Sequence, residues 1–501
     1  MKIADIFSDH MVLQRDQPIR VWGTGEGEVT ISLGGNCVRA TCADGKWQAV
    51  LNPLPAGGPY ELTVQSAHET RTIRDVLVGD VWIAAGQSNM EFPLLCEMRG
   101  LDEAVHAHYP NIRFFACPRS ACPEKEPTVF AFEKRPSAVV PWQVCDPESA
   151  LHFSAIGYFV AAELHKKLGV PIGMISLNRG GVRIESFVGP RELRDPVFQP
   201  YWEIYERQAL PDDEAEAYMT AYGRESDAVI RTQNTDILTQ IRAMGREASS
   251  VKGCHMLDMK LCRYHPNAPG LFYRRMLEAY VVPYGIKGVL WYQGEQNVGD
   301  DAYADKFRRM AESWRAAFRS QIPFYTVEIA PYPYDGTDRA PILRAEQWRA
   351  AATVSDTYIT STQDLGDEFD IHPSRKKEIA KRLINQILAH TYGEPIRSEC
   401  PSYAGYTVHG NRIEIALRNG EGFFGRDVAQ NMEICGADNV FRPAESDSTG
   451  GRLTVWSKEI AHPTAVRYCW HPYYRRGGYY NDAGLPLAPF STRSYRKTDT
   501  D

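Results

Sequence analysis

Near Asp75 the hydrophobic rhythm of the chain changes, and that change narrows the possible folds more than any other feature. From about residue 10 to 80, apolar and polar residues alternate between Gly, Asn and Pro turns. Pro18-Ile-Arg-Val-Trp-Gly23, Val29-Thr-Ile-Ser-Leu33, Trp47-Gln-Ala-Val-Leu51 and Tyr60-Glu-Leu-Thr-Val64 are examples. Period two with frequent turns reads as a small antiparallel β domain. After Asp75 come continuous apolar strands separated by helical segments: Ala155 to Leu168, Gly173 to Leu177, Phe272 to Val282, Gly288 to Tyr292, Ala302 to Phe318, Phe324 to Ile329, Ala340 to Ala352 and Pro373 to His390. Such alternation implies a parallel sheet covered on both faces. From about residue 400 short alternating strands return, as in Arg412-Ile-Glu-Ile-Ala-Leu417 and Arg452-Leu-Thr-Val-Trp456. A chain of 501 residues exceeds what one core supports. The expected organisation is an antiparallel β domain over 1–75, an α/β domain over 76–398 and a β-rich region over 399–501. A polar insert, about 196–252, interrupts the alternation. It reads either as a lid or pocket wall or as a solvated pair of surface helices.

Composition excludes several classes of function. With 56 basic and 63 acidic side chains the net charge is -7 and no dense Lys/Arg run stands out, so nucleic acid is not an expected partner. No apolar run approaches the roughly 20 residues that span a bilayer, and no membrane association is expected. The first ten residues lack the apolar core of a signal peptide, which makes the protein cytoplasmic as written, and periplasmic or secreted if a leader has been removed. The 11 cysteines contain no Cys-x-x-Cys, and the 13 histidines show no zinc-type spacing. Reduced, mostly buried thiols are expected, and neither a metal nor a cofactor.

Four strand ends carry candidate chemistry. In Val81-Trp-Ile-Ala-Ala-Gly-Gln-Ser-Asn-Met-Glu91 the apolar run breaks at Gly86, where a positive φ permits a sharp turn, and Ser88 follows. Open α/β sheets place ligands at such strand ends. A serine here is a candidate nucleophile, with helix capping as its structural alternative. Ile175-Ser-Leu-Asn-Arg-Gly-Gly-Val-Arg183 brings paired glycines whose N–H groups can hold an oxyanion, or simply form a tight turn. Val289-Leu-Trp-Tyr-Gln-Gly-Glu-Gln-Asn297 crowds Gln293, Glu295 and Asn297 onto one strand end. In Thr362 to Ser374, His372 is the candidate base, and Asp370, two residues earlier, is a candidate to fix its tautomer.

Taken together these motifs resemble the SGNH-hydrolase superfamily and, within it, the sialate O-acetylesterase-like group of carbohydrate acetylesterases. The resemblance runs nearly end to end: Phe7-Ser-Asp-His-Met-Val-Leu-Gln-Arg15, Gly79-Asp-Val-Trp82, Gly86-Gln-Ser-Asn-Met-Glu91, Phe153-Ser-Ala-Ile-Gly-Tyr158, Lys287-Gly-Val-Leu-Trp-Tyr-Gln-Gly-Glu295, Asp370-Ile-His-Pro373, Gly436-Ala-Asp438, Ala465-Val-Arg-Tyr468 and Gly484-Leu-Pro486. It implies an SGNH-type three-layer α/β/α sandwich with a parallel sheet, flanked by β-sandwich-like regions at both ends. It also implies Ser88 as nucleophile, His372 as base and release of acetate from an O-acetylated sugar, small or oligomeric, with sialic acid the first expectation. Gln87, Asn89, Gly180, Gln293 and Asn297 fall where oxyanion and substrate contacts are expected.

The sequence departs from the family at two places. The superfamily usually carries an Asp three residues before the His, where this chain has Phe369, so Asp370 and Glu295 both stand as third member of the triad. Relatives tend to carry Trp-Gly-Gly-Thr where this chain has Arg179-Gly-Gly-Val-Arg183. Arg179 and Arg183 either pair with a substrate carboxylate or bind a loop acid such as Glu185. Two alternatives in function accompany this reading. One is an acetylesterase for plant polysaccharides such as xylan, xyloglucan or pectin. The other is a non-catalytic carbohydrate-binding protein, with Trp470, Tyr473, Tyr474, Tyr479 and Tyr480 stacking on sugar rings.

Overall fold

A computed structural model describes the chain except residues 119–128, 131–134, 137–138, 226–258, 335, 426–430, 476–477 and 497–501. Much of the polar insert therefore lies outside the described residues. The fold divides into two compact units, Met1–Trp291 with Arg309–Phe324, and Tyr292–Arg308 with Tyr325–Asp501.

The first unit begins with antiparallel strands that follow the period-two pattern. Ile19–Thr24 pairs with Lys2–Ile3 and Lys46–Leu51, while Glu28–Leu33 pairs with Asn36–Thr41 and Gly57–Ser66. Along Lys46–Leu51 every second residue, Trp47, Ala49 and Leu51, is buried. The change of rhythm at Asp75 falls inside one long strand, Thr70–Gly86. Its first residues alternate and pair antiparallel with Gly57–Ser66, whereas every residue from Val76 to Gly86 is buried. Asp75 itself has φ 54°, and its carboxylate takes Nδ1 of His10 at 2.7 Å and Nη1 of Arg113 at 2.6 Å.

The buried half of that strand belongs to a mainly parallel sheet. Strand order within the unit is Val140–Cys145, Tyr109–Ala116, Ile172–Asn178, Thr70–Gly86, Gly288–Tyr292. Ile172–Asn178 lies parallel to both its neighbours and is buried at all seven positions, as expected of a strand covered on two faces. Helix Ala155–Leu168 leads into it. Ser154 caps that helix by accepting the Gly157 N–H, and Gly169, at φ 67°, ends it.

In the second unit Phe324–Val327 pairs with Thr357–Thr360, followed by helix Lys376–His390. The helix starts three residues later than Pro373, because Arg375 holds a non-helical backbone as its N-cap. Two four-stranded antiparallel sheets follow, one from Ser402–His409, Arg412–Arg418, Leu453–Trp456 and Glu445–Asp447. The other comprises Arg442–Pro443, Met432–Cys435, Ala465–Tyr468 and Phe490–Ser491. Ile413, Leu453 and Val455 of the first share a hydrophobic cluster with Met432, Ile434, Val466 and Phe490 of the second. Among the described residues no helix is long and apolar enough to cross a membrane.

Candidate active site

The serine turn is built at the end of the long strand in the first unit. Gly86 adopts φ 133°, a conformation open to glycine and strained for other residues, and the chain turns into the single helical turn Ser88–Glu91. The cap position falls on Gln87, so Ser88 is the first helical residue rather than the capping one. Gln87 and Asn89 are buried and Ser88 is half-buried.

Parallel pairing brings the glycine loop to the same strand edge. Asn178 lies opposite Gly86, the Arg179 N–H donates to Gly86 O at 3.1 Å, and the Asn178 amide donates to Ala84 O at 3.2 Å. Gly180 is so close to the serine that a methyl group on it would come 3.3 Å from Ser88 Cβ. Its N–H, expected to face an oxyanion, donates instead to Glu91 Oε2 at 2.7 Å. Glu91 was legible only as the end of Gly-Gln-Ser-Asn-Met-Glu; the single helical turn that swings its carboxylate back past Ser88 gives it a contact in the site.

The two arginines of this loop differ. Arg183 Nη2 meets the fully buried Glu185 at 3.2 Å, and its guanidinium lies 4.8 Å from the Tyr201 ring centroid. The loop-acid alternative thus describes Arg183. Arg179 is buried beside Gly180.

The second unit holds the other candidates. Gln293 Nε2 donates to Asn297 Oδ1 at 2.8 Å, and Tyr303 donates to Gln293 Oε1 at 2.7 Å. Asn297 Nδ2 donates to Asp300, which also pairs with Lys306 at 2.7 Å. Both amides are thus engaged in a buried network that fixes this strand end. Glu295 is half-buried, and its charge adds to the effect of burial in raising the phenols of Tyr292 and Tyr334.

His372 and Asp370 are neighbours in space as in sequence. Asp370 Oδ1 lies 3.3 Å from His372 Nδ1 and accepts the His372 backbone N–H at 2.8 Å. Burial raises the Asp370 carboxyl, but the bonds from the His372 ring and N–H, with the charges of His372 and Lys376, outweigh it and hold the group below its ordinary range. Phe369, where the superfamily has its acid, is 85 % exposed. Among the aromatic residues expected to stack on sugars, Trp470, Tyr474 and Tyr479 are buried, and the last two belong to the β-region core. Tyr473 and Tyr480 are half-buried.

Comparison with known proteins fits this arrangement. Residues 259–392 match the family described as carbohydrate esterase, sialic acid-specific acetylesterase. The sialate O-acetylesterase of Rattus norvegicus is 25 % identical, with 98 % of this chain and 94 % of that protein covered, and the Homo sapiens protein is 25 % identical over 98 % and 92 %. The chain resembles sialate O-acetylesterases from end to end. A crystal structure of a carbohydrate acetylesterase from Xanthomonas citri superposes with a TM-score of 0.78 at 28 % identity, covering 99 % of this chain and 100 % of that one. The mixed sheet, its helices and the many additional strands are therefore those of a carbohydrate acetylesterase fold.

Proposed function

We propose that this chain is a serine esterase that removes O-acetyl groups from a carbohydrate, and that the carbohydrate is a sialic acid. The observation that carries this reading is the full-length similarity to sialate O-acetylesterases, joined to a strand-end turn that presents Ser88 beside Gly180. The same reading takes residues 76–398 as an SGNH-type α/β/α sandwich and the segments 1–75 and 399–501 as its flanking β regions.

In the proposed reaction Ser88 Oγ attacks the acetyl carbonyl carbon while His372 takes the hydroxyl proton. Asp370 holds the imidazole with Nδ1 protonated and balances the imidazolium that forms; the contact at 3.3 Å and the depressed carboxyl support it over Glu295. The backbone N–H of Ser88 and an amide of Gln293 or Asn297 stabilise the tetrahedral oxyanion. A contribution from Gly180 requires its bond to Glu91 to open. Collapse of the intermediate breaks the bond to the sugar oxygen, which leaves with the proton from His372. Water, deprotonated by the same histidine, then attacks the acetyl-enzyme and releases acetate.

The decisive measurement is acetate release from O-acetylated sialic acids, acetylated xylo-oligosaccharides and p-nitrophenyl acetate by the wild type and Ser88→Ala. Loss of about 10⁴-fold or more in the variant, with the sialic acids turned over fastest by the wild type, is expected. A folded wild type without hydrolysis would sink the esterase reading, and preference for the xylo-oligosaccharides would replace the substrate.

A further inference from the structure

The turn at 265–270 is stitched to the glycine loop. Asn267 Oδ1 accepts the Arg183 N–H at 2.8 Å, the Gly270 N–H donates to Glu185 O at 2.9 Å, and Tyr201 donates to Asn267 O at 2.6 Å. These bonds tie the turn that carries His265 to the loop that carries Arg179 and Gly180, and a methyl group on Gly180 would come 3.3 Å from Ser88 Cβ. His265 Nδ1 accepts the Asn267 backbone N–H at 2.9 Å. An acceptor at Nδ1 fixes the neutral tautomer whose proton sits on Nε2. Among the described residues Nε2 makes no hydrogen bond, and it is not sealed from solvent.

We infer that His265 is a specificity-determining residue of the proposed esterase site, its Nε2–H donating to the carboxylate of an acidic sugar ester whose acetyl group is at Ser88. This role rests on the esterase reading and adds to it the group that reads the sugar's charge. A carboxylate fits because the acceptor position lies in the field of Arg179, the same charge that acts on His265. Burial first and Arg179 second push the imidazole down to about 4, so near neutral pH, where a sialic acid is ionised, it is a neutral, single-proton donor. Arg183 is committed to Glu185 and Tyr201, and shapes the wall rather than the ligand contact.

The test compares the wild type, His265→Ala and His265→Gln on an O-acetylated sialic acid and on a neutral O-acetylated hexose. In His265→Ala the ratio of kcat/KM for the acidic ester to that for the neutral one is expected to fall about tenfold, mainly through KM, as loss of a hydrogen bond to a charged group predicts. His265→Gln, which keeps an N–H donor and most of the volume, should recover part of that ratio. A ratio within twofold of the wild type in a folded alanine variant, or an equal loss on both esters, would overturn the assignment. If Ala unfolds, an unchanged ratio in folded Gln with Arg179→Gln equally indifferent would do the same. A wild type that hydrolyses neither ester defeats the esterase reading itself, which separates that failure from this one.

Discussion

The serine turn and the histidine loop solve the same problem by opposite means. Ser88 stands two residues past the end of a strand with eleven successive buried residues, and its position follows from sheet register: Asn178 opposite Gly86, and Arg179 bonded back to Gly86. Little of that geometry depends on any one polar side chain. The histidine loop emerges from a short strand and holds its shape by local carboxylate bonds. Asp367 accepts the N–H groups of Phe369 and Asp370, and Asp370 accepts that of His372. Asp370 and His372 are each about one-third exposed, at 32 % and 34 %. A core places the proposed nucleophile, whereas a few replaceable side chains orient the proposed base. Mutations should therefore act differently in the two regions.

Among variants that keep Ser88 itself, the largest effect is expected in the histidine loop. Asp370→Asn keeps the shape but offers His372 a donor as readily as an acceptor, favouring the wrong tautomer. That change costs about 10⁴ in turnover in a well-characterised triad, and for a partly exposed pair a loss of about 10²- to 10⁴-fold in kcat is expected. Glu295→Gln should cost less than tenfold. Measured side by side with unfolding curves, a larger loss in Glu295→Gln would hand the third role to Glu295 and remove the local-carboxylate half of the comparison.

A smaller effect, and of a different kind, is expected when the serine turn is displaced with Ser88 kept. In Gly180→Ala the added methyl would stand 3.2 Å from Glu91 Oε2 and 3.3 Å from Ser88 Cβ, tight enough to move either by a few tenths of an ångström. Because near-attack geometry is steep, about tenfold in kcat is expected with little change in KM or in melting temperature. Unaltered kinetics would mean that the serine side tolerates displacement, contrary to its being placed by the core.

Sequence patterns exposed most of this architecture because burial writes itself as periodicity. Helix Ala155–Leu168 and strand Gly288–Tyr292 were readable to the residue from the alternation of helical segments with apolar runs. The change at Asp75 was readable too, although it marks the middle of a strand rather than a break, since one strand can serve two sheets. Contacts set by loops were less legible. No spacing rule reveals that Glu91 reaches Gly180, or that His265 returns to the glycine loop 86 positions after Arg179. The aromatic residues near the C-terminus mislead for the opposite reason: Trp470 and Tyr479 are as suited to a core as to a sugar, and composition does not distinguish the two.

At the root of the histidine loop local bonding meets a buried carboxyl. Glu328 is completely buried and accepts from Ser361 Oγ at 2.9 Å, the Thr362 N–H at 3.2 Å and the Gln363 amide. Burial is the dominant influence and lifts its carboxyl to about 7, against the lowering effects of Arg344 and these donors. A folded-state value above the unfolded one means that the native state binds the extra proton between about 4.5 and 7. Stability from this group is thus present at low pH and lost as pH rises through that window, by up to about 3 kcal/mol. Glu328→Gln removes the titration while keeping the size. Urea unfolding at pH 5 and pH 8 should show the wild type losing ground relative to the variant, and esterase activity in the variant should remain within a fewfold because Glu328 roots the loop without touching His372. Parallel stability curves would show that the donors around Glu328 fully compensate its charge. The histidine loop would then be as firmly pre-set at its root as the serine turn, leaving Asp367 and Asp370 at its tip as the point of difference.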